Sequence, residues 1–377
     1  MADLKAANSP LKILLVMPNW LGDVIMTTPL IAYMDTVLKG VPVAERPQLY
    51  LAVRRPWASL FANDTRVSGI EIVERDGRHR GWRGLWRQGQ ELKAKNYDMI
   101  LLGPPSLRAG LVAKFAQIPV RIGHATDGRG WLLNCSLVKG PRGSRHYAFD
   151  MLDLGLAAMD HEVMADYSVA VTRLPEEGLP QPSLKIDPSP ESSTALDGRP
   201  LWVVAPGTTY GEAKTWPVSQ VRDFLSLATK DARLVLLGDA QAKSFVAELR
   251  AHSELSWSHV LNEAADVTDL TGQTDLAEAA SILQSASGFV GNDSGLMHLA
   301  GALGVPTVGV FGSSNPDWTH PLGTRTAAVV ASGFDCQPCY RKTCPKEVFC
   351  LSTVAAESVH AKLLKLGTEA ETSGVKD

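Results

Sequence analysis

Gly291-Asn292-Asp293-Ser294-Gly295-Leu296-Met297-His298-Leu299-Ala300-Gly301-Ala302-Leu303-Gly304 follows the apolar run Gly288-Phe289-Val290 and leads into Val305-Pro306-Thr307-Val308-Gly309-Val310-Phe311-Gly312. The stretch predicts a strand, a tight polar turn, a short helix of small residues and a second buried strand. A turn of this kind aims the free N–H groups of a helix N-terminus at an anion, commonly a phosphate. Asp293 adds a carboxylate and Ser294 a hydroxyl, chemistry suited to a sugar attached to that phosphate. A plain α/β turn accounts for the glycines. It does not require Asp-Ser-Gly with a histidine, His298, one helical turn later.

Upstream of this stretch the same alternation recurs. Leu201–Ala205 reads as a strand, followed by helix Val218–Thr229, strand Arg233–Leu237, and helices Ala242–His252 and Leu276–Ser285. The first half repeats the scheme. Lys12–Met17 is a nearly continuous apolar run, as a buried parallel strand requires, and Gln48–Val53, Gly69–Val73, Met99–Leu102 and Val120–Ile122 are further strand candidates. Helical patterning follows the Gly22-Asp23 turn, where Pro29 kinks one helix or, with Thr28 as N-cap, starts a second. The segment 174–200 is rich in proline, serine and glutamate and reads as a linker, with a strand considered near Leu184–Ile186. These patterns predict an α/β chain of two doubly wound domains facing across a cleft, 1–173 and 201–350. A C-terminal helix and tail, 351–377, is placed to pack back on the first domain. Ligands in such sheets sit beyond the carboxyl ends of the strands.

A chain of 377 residues is long enough for two ordinary domains, each with its own core. No apolar run reads as a membrane span and the first ten residues lack a signal-peptide pattern, so a cytoplasmic protein is expected. The formal charge of −3 hides an asymmetry: residues 1–150 hold 21 Lys+Arg against 12 Asp+Glu, leaving −12 for the remainder. A solvated face is the usual fate of such cations. The alternative is an anionic acceptor or an anionic membrane surface, and Trp82 and Trp86 among the arginines of 75–87 favour an interface. No nucleic-acid motif accompanies the patch.

Three segments carry candidate chemistry. Pro18-Asn19-Trp20-Leu21-Gly22-Asp23 follows the first strand, and Asp23 there is either a general base for an acceptor hydroxyl or an ordinary helix cap. Ala205-Pro206-Gly207-Thr208-Thr209-Tyr210-Gly211-Glu212-Ala213-Lys214-Thr215-Trp216-Pro217 joins a strand to a helix. Its glycine, two hydroxyls and lysine suit a diphosphate, although a solvated loop explains them as well. Walker A spacing is absent. Leu236-Leu237-Gly238-Asp239 and Gly272-Gln273-Thr274 are weaker candidates for a nucleoside contact. Cys336, Cys339, Cys344 and Cys350 form C-x2-C-x4-C-x5-C, which fits either ordinary thiols in a loop or a small structural metal site. Nothing marks a catalytic metal. His298 either bonds a phosphate or sugar or sits satisfied beneath its turn.

Together these blocks resemble glycosyltransferase family 9, the heptosyltransferases of lipopolysaccharide core synthesis. The residues that carry the resemblance are Leu21-Gly22-Asp23 with Thr28-Pro29, Pro206-Gly207-Thr208 with Lys214-Thr215-Trp216-Pro217, and Asn292-Asp293-Ser294-Gly295-Leu296-Met297-His298. The Asn-Trp-Leu-Gly-Asp and Met-Thr-Thr-Pro forms look most like the members that add a second heptose to the first heptose of the inner core. The resemblance implies a GT-B fold of two Rossmann-like domains, an inverting mechanism, no cofactor and no catalytic metal. It implies that Asp23 is the base on an acceptor-binding first domain. Thr208, Thr209 and Lys214 would bind the donor diphosphate, with Asp293, Ser294, Gly295 and His298 completing the donor site. The implied donor is ADP-L-glycero-D-manno-heptose. The implied acceptor is of the heptosyl-Kdo-lipid A type, met at the inner-leaflet surface. Rival expectations are a member that adds the first heptose, another family 9 enzyme with a different donor or acceptor, and a non-catalytic nucleotide-sugar-binding protein that has no need of Asp23.

Overall fold

Two short apolar runs, Ile13-Leu14-Leu15 and Ile100-Leu101-Leu102, are wholly buried side by side and form the centre of the first of two sheets. A computed structural model of the protein describes residues 10–161, 180–182, 184, 186, 198–261 and 263–373. The chain divides into two compact units, Met1–Lys185 and Ile186–Asp377. Most of the expected linker lies outside the described residues, and Leu184 and Ile186 carry no strand.

The first unit holds β1 (Lys12–Val16), β2 (Gln48–Arg54), β3 (Gly69–Val73), β4 (Met99–Leu102), β5 (Val120–His124) and β6 (Cys135–Leu137). All pair in parallel, in the order β3-β2-β1-β4-β5-β6. Its helices are α1 (Leu21–Ile25), α2 (Thr28–Val37), α3 (Gly81–Lys93), α4 (Leu107–Phe115) and α5 (Tyr147–Met159). Helices α3 and α4 pack together, as do α2 and α5. The strand order reverses at β1 and β4, so the crevice beyond their carboxyl ends is where such a sheet takes a ligand.

Two expectations for this unit are corrected. Thr28 is not an N-cap: α2 begins at Thr28 after Thr27, with Pro29 in the first turn. The two threonine hydroxyls serve the preceding helix instead, Thr27 donating to the Asp23 carbonyl at 2.7 Å and Thr28 to the Ile25 carbonyl at 2.8 Å. Carbonyls that α1 leaves orphaned at its C-terminus are thereby satisfied. The second correction concerns Leu21–Gly40, which is apolar enough over its length to cross a membrane. It is broken into α1 and α2 near Met26-Thr27, and Leu30, Ile31, Tyr33 and Met34 are buried in the unit. Its apolarity belongs to core helices.

The second unit holds β7 (Leu201–Ala205), β8 (Arg233–Leu236), β9 (Trp257–Ser258), β10 (Val267–Asp269), β11 (Gly288–Asn292), β12 (Thr307–Phe311) and β13 (Thr326–Val330). The sheet is again parallel, ordered β13-β12-β11-β7-β8-β10-β9, with its reversal at β7 and β11. Helices α6 (Val218–Ala228), α7 (Lys243–Ala251), α8 (Leu276–Gln284), α9 (Gly295–Ala302), α10 (Pro316–Thr319) and α11 (Ala356–Ser373) complete it. Asp275 caps α8 in a reciprocal box with Glu278. Val359, Leu363 and Leu366 of α11 enter the core of this unit beside Trp202, Val221 and Phe224. Each fully buried aliphatic side chain of that kind contributes roughly 1.5–3 kcal/mol relative to exposure.

Candidate active site

Strands β7 and β11 run side by side, Gly291 opposite Ala205, so the loops that follow them emerge together at the switch point of the second sheet. The side chain of Asn292, buried at the end of β11, joins these loops. Its amide donates to the Pro206 carbonyl at 2.6 Å, and its oxygen accepts from the Trp216 N–H at 2.9 Å. Both ends of the Gly207–Thr215 loop are thereby fixed to the strand that carries Asp293. The indole of Trp216 donates to the Val354 carbonyl at 3.0 Å and anchors the loop from below. Gly207 is needed for packing: a Cβ there would lie 2.6 Å from the Cβ of Ala242.

On this frame Lys214 Nζ lies 2.5 Å from Asp293 Oδ2. Thr319 Oγ1 also donates to that oxygen at 3.4 Å, and His298 Nε2 stands 3.8 Å from Asp293 Oδ1. Burial by itself would raise the Asp293 pKa. The neighbouring His298 and the Lys214 ammonium outweigh it and hold the carboxyl well below the usual carboxylate range. The Lys214 ammonium also lies 4.9 Å from the centre of the Tyr210 ring, a favourable cation–π contact. His298 is buried under the turn, its Nδ1 without a hydrogen-bond partner.

The turn behaves as its composition predicts at the backbone. Ser294 precedes α9 in extended geometry without a side-chain cap, and its hydroxyl is buried and unpartnered. The first-turn N–H groups of α9, beginning at Gly295, therefore have no capping oxygen from Ser294 and face the end of β11. Thr208 Oγ1 accepts from the Tyr210 N–H at 3.1 Å, whereas Thr209 is exposed. Of the residues expected to hold a donor, Thr208, Lys214, Asp293, Ser294, Gly295 and His298 collect on the β7 and β11 ends of one unit. Asn292 and Thr319 belong to the same cluster and were not foreseen.

The cysteine-rich loop has a visible mechanical role. The Tyr210 hydroxyl donates to the Tyr340 carbonyl at 2.7 Å, and the Ala213 N–H donates to the Lys342 carbonyl at 3.0 Å. Gly211 has φ of 149° and lies so close to Lys342 that a Cβ would fall 2.5 Å from its carbonyl oxygen. Loop 336–350 is thus a strap across the segment bearing Lys214. Its thiols are free. Burial raises the Cys350 pKa, and Cys344, Cys339 and Cys336 lie near enough to raise it further. Among the described residues no group of three or more such side chains is arranged to hold a metal.

Asp23 stands in the first unit, in the first turn of α1 after the end of β1. It is not a cap: Trp20 occupies that position, and no side chain caps α1. The Asp23 carboxylate lies near the buried phenol of Tyr147. Burial, with Asp23 and Asp150 adding to it, pushes the Tyr147 pKa well above its ordinary value. The weak nucleoside candidates have structural duties: Asp239 accepts from the Gln241 N–H, and Gly272 adopts φ of 66° in its turn.

Comparison with known proteins gives consistent answers. The model of glycosyltransferase family 9 (heptosyltransferase) matches residues 85–349. The chain is 28% identical over 341 residues to lipopolysaccharide heptosyltransferase 2 of Salmonella typhimurium, covering 85% of this chain and 88% of that one. It is also 28% identical over 348 residues to lipopolysaccharide heptosyltransferase 1 of Pseudomonas aeruginosa, covering 89% and 87%. The solved structure of Escherichia coli ADP-heptose heptosyltransferase II superposes with a TM-score of 0.72 at 24% identity, covering 96% of this chain and all of that one. The expected GT-B class, built of two Rossmann-like α/β domains, is the class of that structure.

Proposed function

The chain belongs to glycosyltransferase family 9, and from that premise we propose that it transfers L-glycero-D-manno-heptose from ADP-heptose to the first heptose of a lipopolysaccharide inner core, with inversion. The carrying observation is the Lys214–Asp293 pair set before the N-terminus of α9 at the switch point of the second sheet. A sugar nucleotide presents a diphosphate beside a ring of hydroxyls, and this cluster offers a cation, free N–H groups, a hydroxyl and a carboxylate. The relatives named above support heptose as the sugar. The Asn-Trp-Leu-Gly-Asp and Met-Thr-Thr-Pro forms favour addition of the second heptose.

In the proposed reaction Asp23 accepts the proton of an acceptor hydroxyl as that oxygen forms its bond to the anomeric carbon. The bond from that carbon to the diphosphate oxygen breaks on the opposite face, and ADP leaves with the electron pair. Charge grows on the departing diphosphate, where Lys214 and the α9 N–H groups stabilise it more in the transition state than in the ground state. Thr208 and Thr209 supply further donors, His298 supports Asp293, and Asp293 accepts from heptose hydroxyls. The exposed Trp82 and Trp86 of α3, with Arg83 and Arg87, favour contact with an anionic membrane surface where the acceptor resides.

The test is a transfer assay with ADP-heptose and a mono-heptosylated acceptor, run with and without chelator. ADP release with formation of the di-heptosylated product supports the reading. Turnover confined to an acceptor that bears no heptose would reassign the chain to addition of the first sugar.

A further inference from the structure

Tyr210 stands between the Lys214 ammonium and the cysteine-rich loop, and its ring and its hydroxyl each have a partner. Lys214 Nζ lies over the ring, 4.9 Å from its centre. The hydroxyl donates to the Tyr340 carbonyl at 2.7 Å, across 130 residues of chain. Tyr340 is itself fixed from the other side. Its N–H donates to the Ser313 carbonyl at 2.8 Å, just beyond β12, and the nearby Gln337 side chain donates to the Gly312 carbonyl at 2.9 Å. With φ of 51°, Tyr340 adopts a backbone conformation that bulky residues rarely take. Such a conformation persists where surrounding contacts over-determine it, and functional sites are where it collects.

Tyr340 also reaches the other member of the ion pair. Its ring meets that of Trp318 edge to face, with centroids 5.9 Å apart and planes at 89°. The next residue, Thr319, donates to Asp293 Oδ2 at 3.4 Å. The contacts close a circuit: Lys214 to Tyr210, Tyr210 to Tyr340, Tyr340 through Trp318 and Thr319 to Asp293, and Asp293 back to Lys214. A lysine needs such a frame more than an arginine does, because its charge is a compact point at the end of a flexible four-carbon stem. An aromatic face attracts that charge without neutralising it. A second carboxylate would hold the ammonium as well, but it would repel a diphosphate.

We infer that Tyr210 is a positioning residue for donor binding: its ring confines the Lys214 ammonium to places from which it meets the donor's diphosphate, and the cysteine-rich loop sets where that ring stands. The inference rests on the donor role proposed for this cluster. Tyr210 acts through Lys214, so its effect falls on ligands that carry a diphosphate and on no others. Loop 336–350 thereby contributes to donor binding through the backbone of Tyr340.

The test measures binding of ADP and of adenosine by calorimetry to wild type, Tyr210→Leu and Tyr210→Phe. Tyr210→Leu is expected to raise the ADP Kd roughly three- to thirtyfold, the range of a partly desolvated cation–π contact, and the ADP-heptose KM in step with it. Tyr210→Phe keeps the ring and should recover most of that loss. Adenosine, which has no diphosphate, should bind all three proteins alike. In a Lys214→Met background, Tyr210→Leu should have no further effect on ADP binding, since the two side chains act as a unit. If that background does not fold, the adenosine comparison and the recovery in Tyr210→Phe decide alone. Equal weakening of ADP and adenosine, a Tyr210→Phe as weak as Tyr210→Leu, or a full penalty without Lys214 overturns the positioning role. A wild type that transfers heptose while Tyr210→Leu binds ADP equally well overturns this role alone. Tyr210-dependent ADP binding by a wild type that transfers nothing overturns the transfer function and leaves the role standing.

Discussion

Asn292 accepts from the backbone N–H of Trp216 at 2.9 Å across 76 residues of chain, while the same side chain donates to Pro206. One carboxamide thus holds both ends of the loop that carries Lys214. Asn292→Ala leaves a buried N–H and a buried carbonyl without partners, at a cost of about 1–3 kcal/mol for each orphaned group. The expected outcome is a lower melting temperature together with a raised ADP-heptose KM, the second because Lys214 loses its fixed position. A variant that melts like wild type would remove this role from Asn292.

The Lys214–Asp293 pair, with its carboxylate buried and its ammonium half-buried, makes single and double substitutions differ. Lys214→Met leaves a carboxylate in a nearly closed site, and breaking a buried pair in this way costs roughly 3–5 kcal/mol. Lys214→Met combined with Asp293→Asn should recover part of that loss in denaturant unfolding. The pH dependence follows from the depressed Asp293 pKa. A carboxyl whose folded pKa lies below its unfolded value contributes stability that is complete above the unfolded value, about 3.9. That contribution is lost as pH falls through the folded pKa. Wild type should therefore exceed Asp293→Asn in stability by a constant margin from pH 7 down to about pH 5, with the margin shrinking only below about pH 4. A margin that closes between pH 7 and pH 5 contradicts the assignment.

Asp23→Asn keeps the shape of the α1 turn and removes the proposed proton acceptor. Because α1 has no side-chain cap to lose, the substitution should leave the melting temperature near that of wild type. Turnover should fall by about 10²–10⁴, the usual contribution of a positioned general base. ADP binding, measured by calorimetry, should stay unchanged. Near-normal turnover would take the base role from Asp23.

Trp82 and Trp86 are 63% and 54% exposed on a helix whose other face, through Leu85, Gln88 and Leu92, is buried. Replacing both by Ala removes little from the core, although Trp82 forfeits its edge contact with Phe115. Co-sedimentation with vesicles rich in anionic lipid should weaken for the double variant and for wild type at high salt. Equal sedimentation of variant and wild type would discard the membrane contact.

Strands were legible where they are buried on both faces. Lys12–Val16, Gln48–Arg54 and Met99–Leu102 appear within a residue or so of their apolar runs, since a parallel strand covered by helices shows no polar alternation. Cys135–Leu137 and Thr326–Val330, edge strands with half-buried or exposed side chains, escaped notice, although Gly69–Val73, likewise a half-buried edge strand, was legible. In the second unit the sequence assigned Lys214 and Asp293 to one donor site, and the structure sets the two side by side. The Asn292 staple and the approach of Thr319 were not legible, since both depend on segments brought together by the sheet. Arg129 shows the limit of charge arithmetic. It is one of the cations of residues 1–150, for which a solvated face and an anion-binding surface were the two readings, yet it is fully buried and bonded to four carbonyls.

A lysine and a carboxylate 2.5 Å apart look, from any distance, like a dipole and not a cation. In the donor site proposed above, an incoming diphosphate would therefore feel little pull from Lys214 until it is close enough to compete with Asp293 for the ammonium. Occupancy under that proposal would be an exchange of counter-ions, freeing carboxylate lone pairs at the moment a neighbouring sugar can use them. A nucleotide without its sugar performs the same exchange and leaves the released carboxylate with nothing to accept from. Donor and spent nucleotide would then be distinguished by what happens to the displaced partner, a difference that the proposed site turns toward entry of the first and departure of the second.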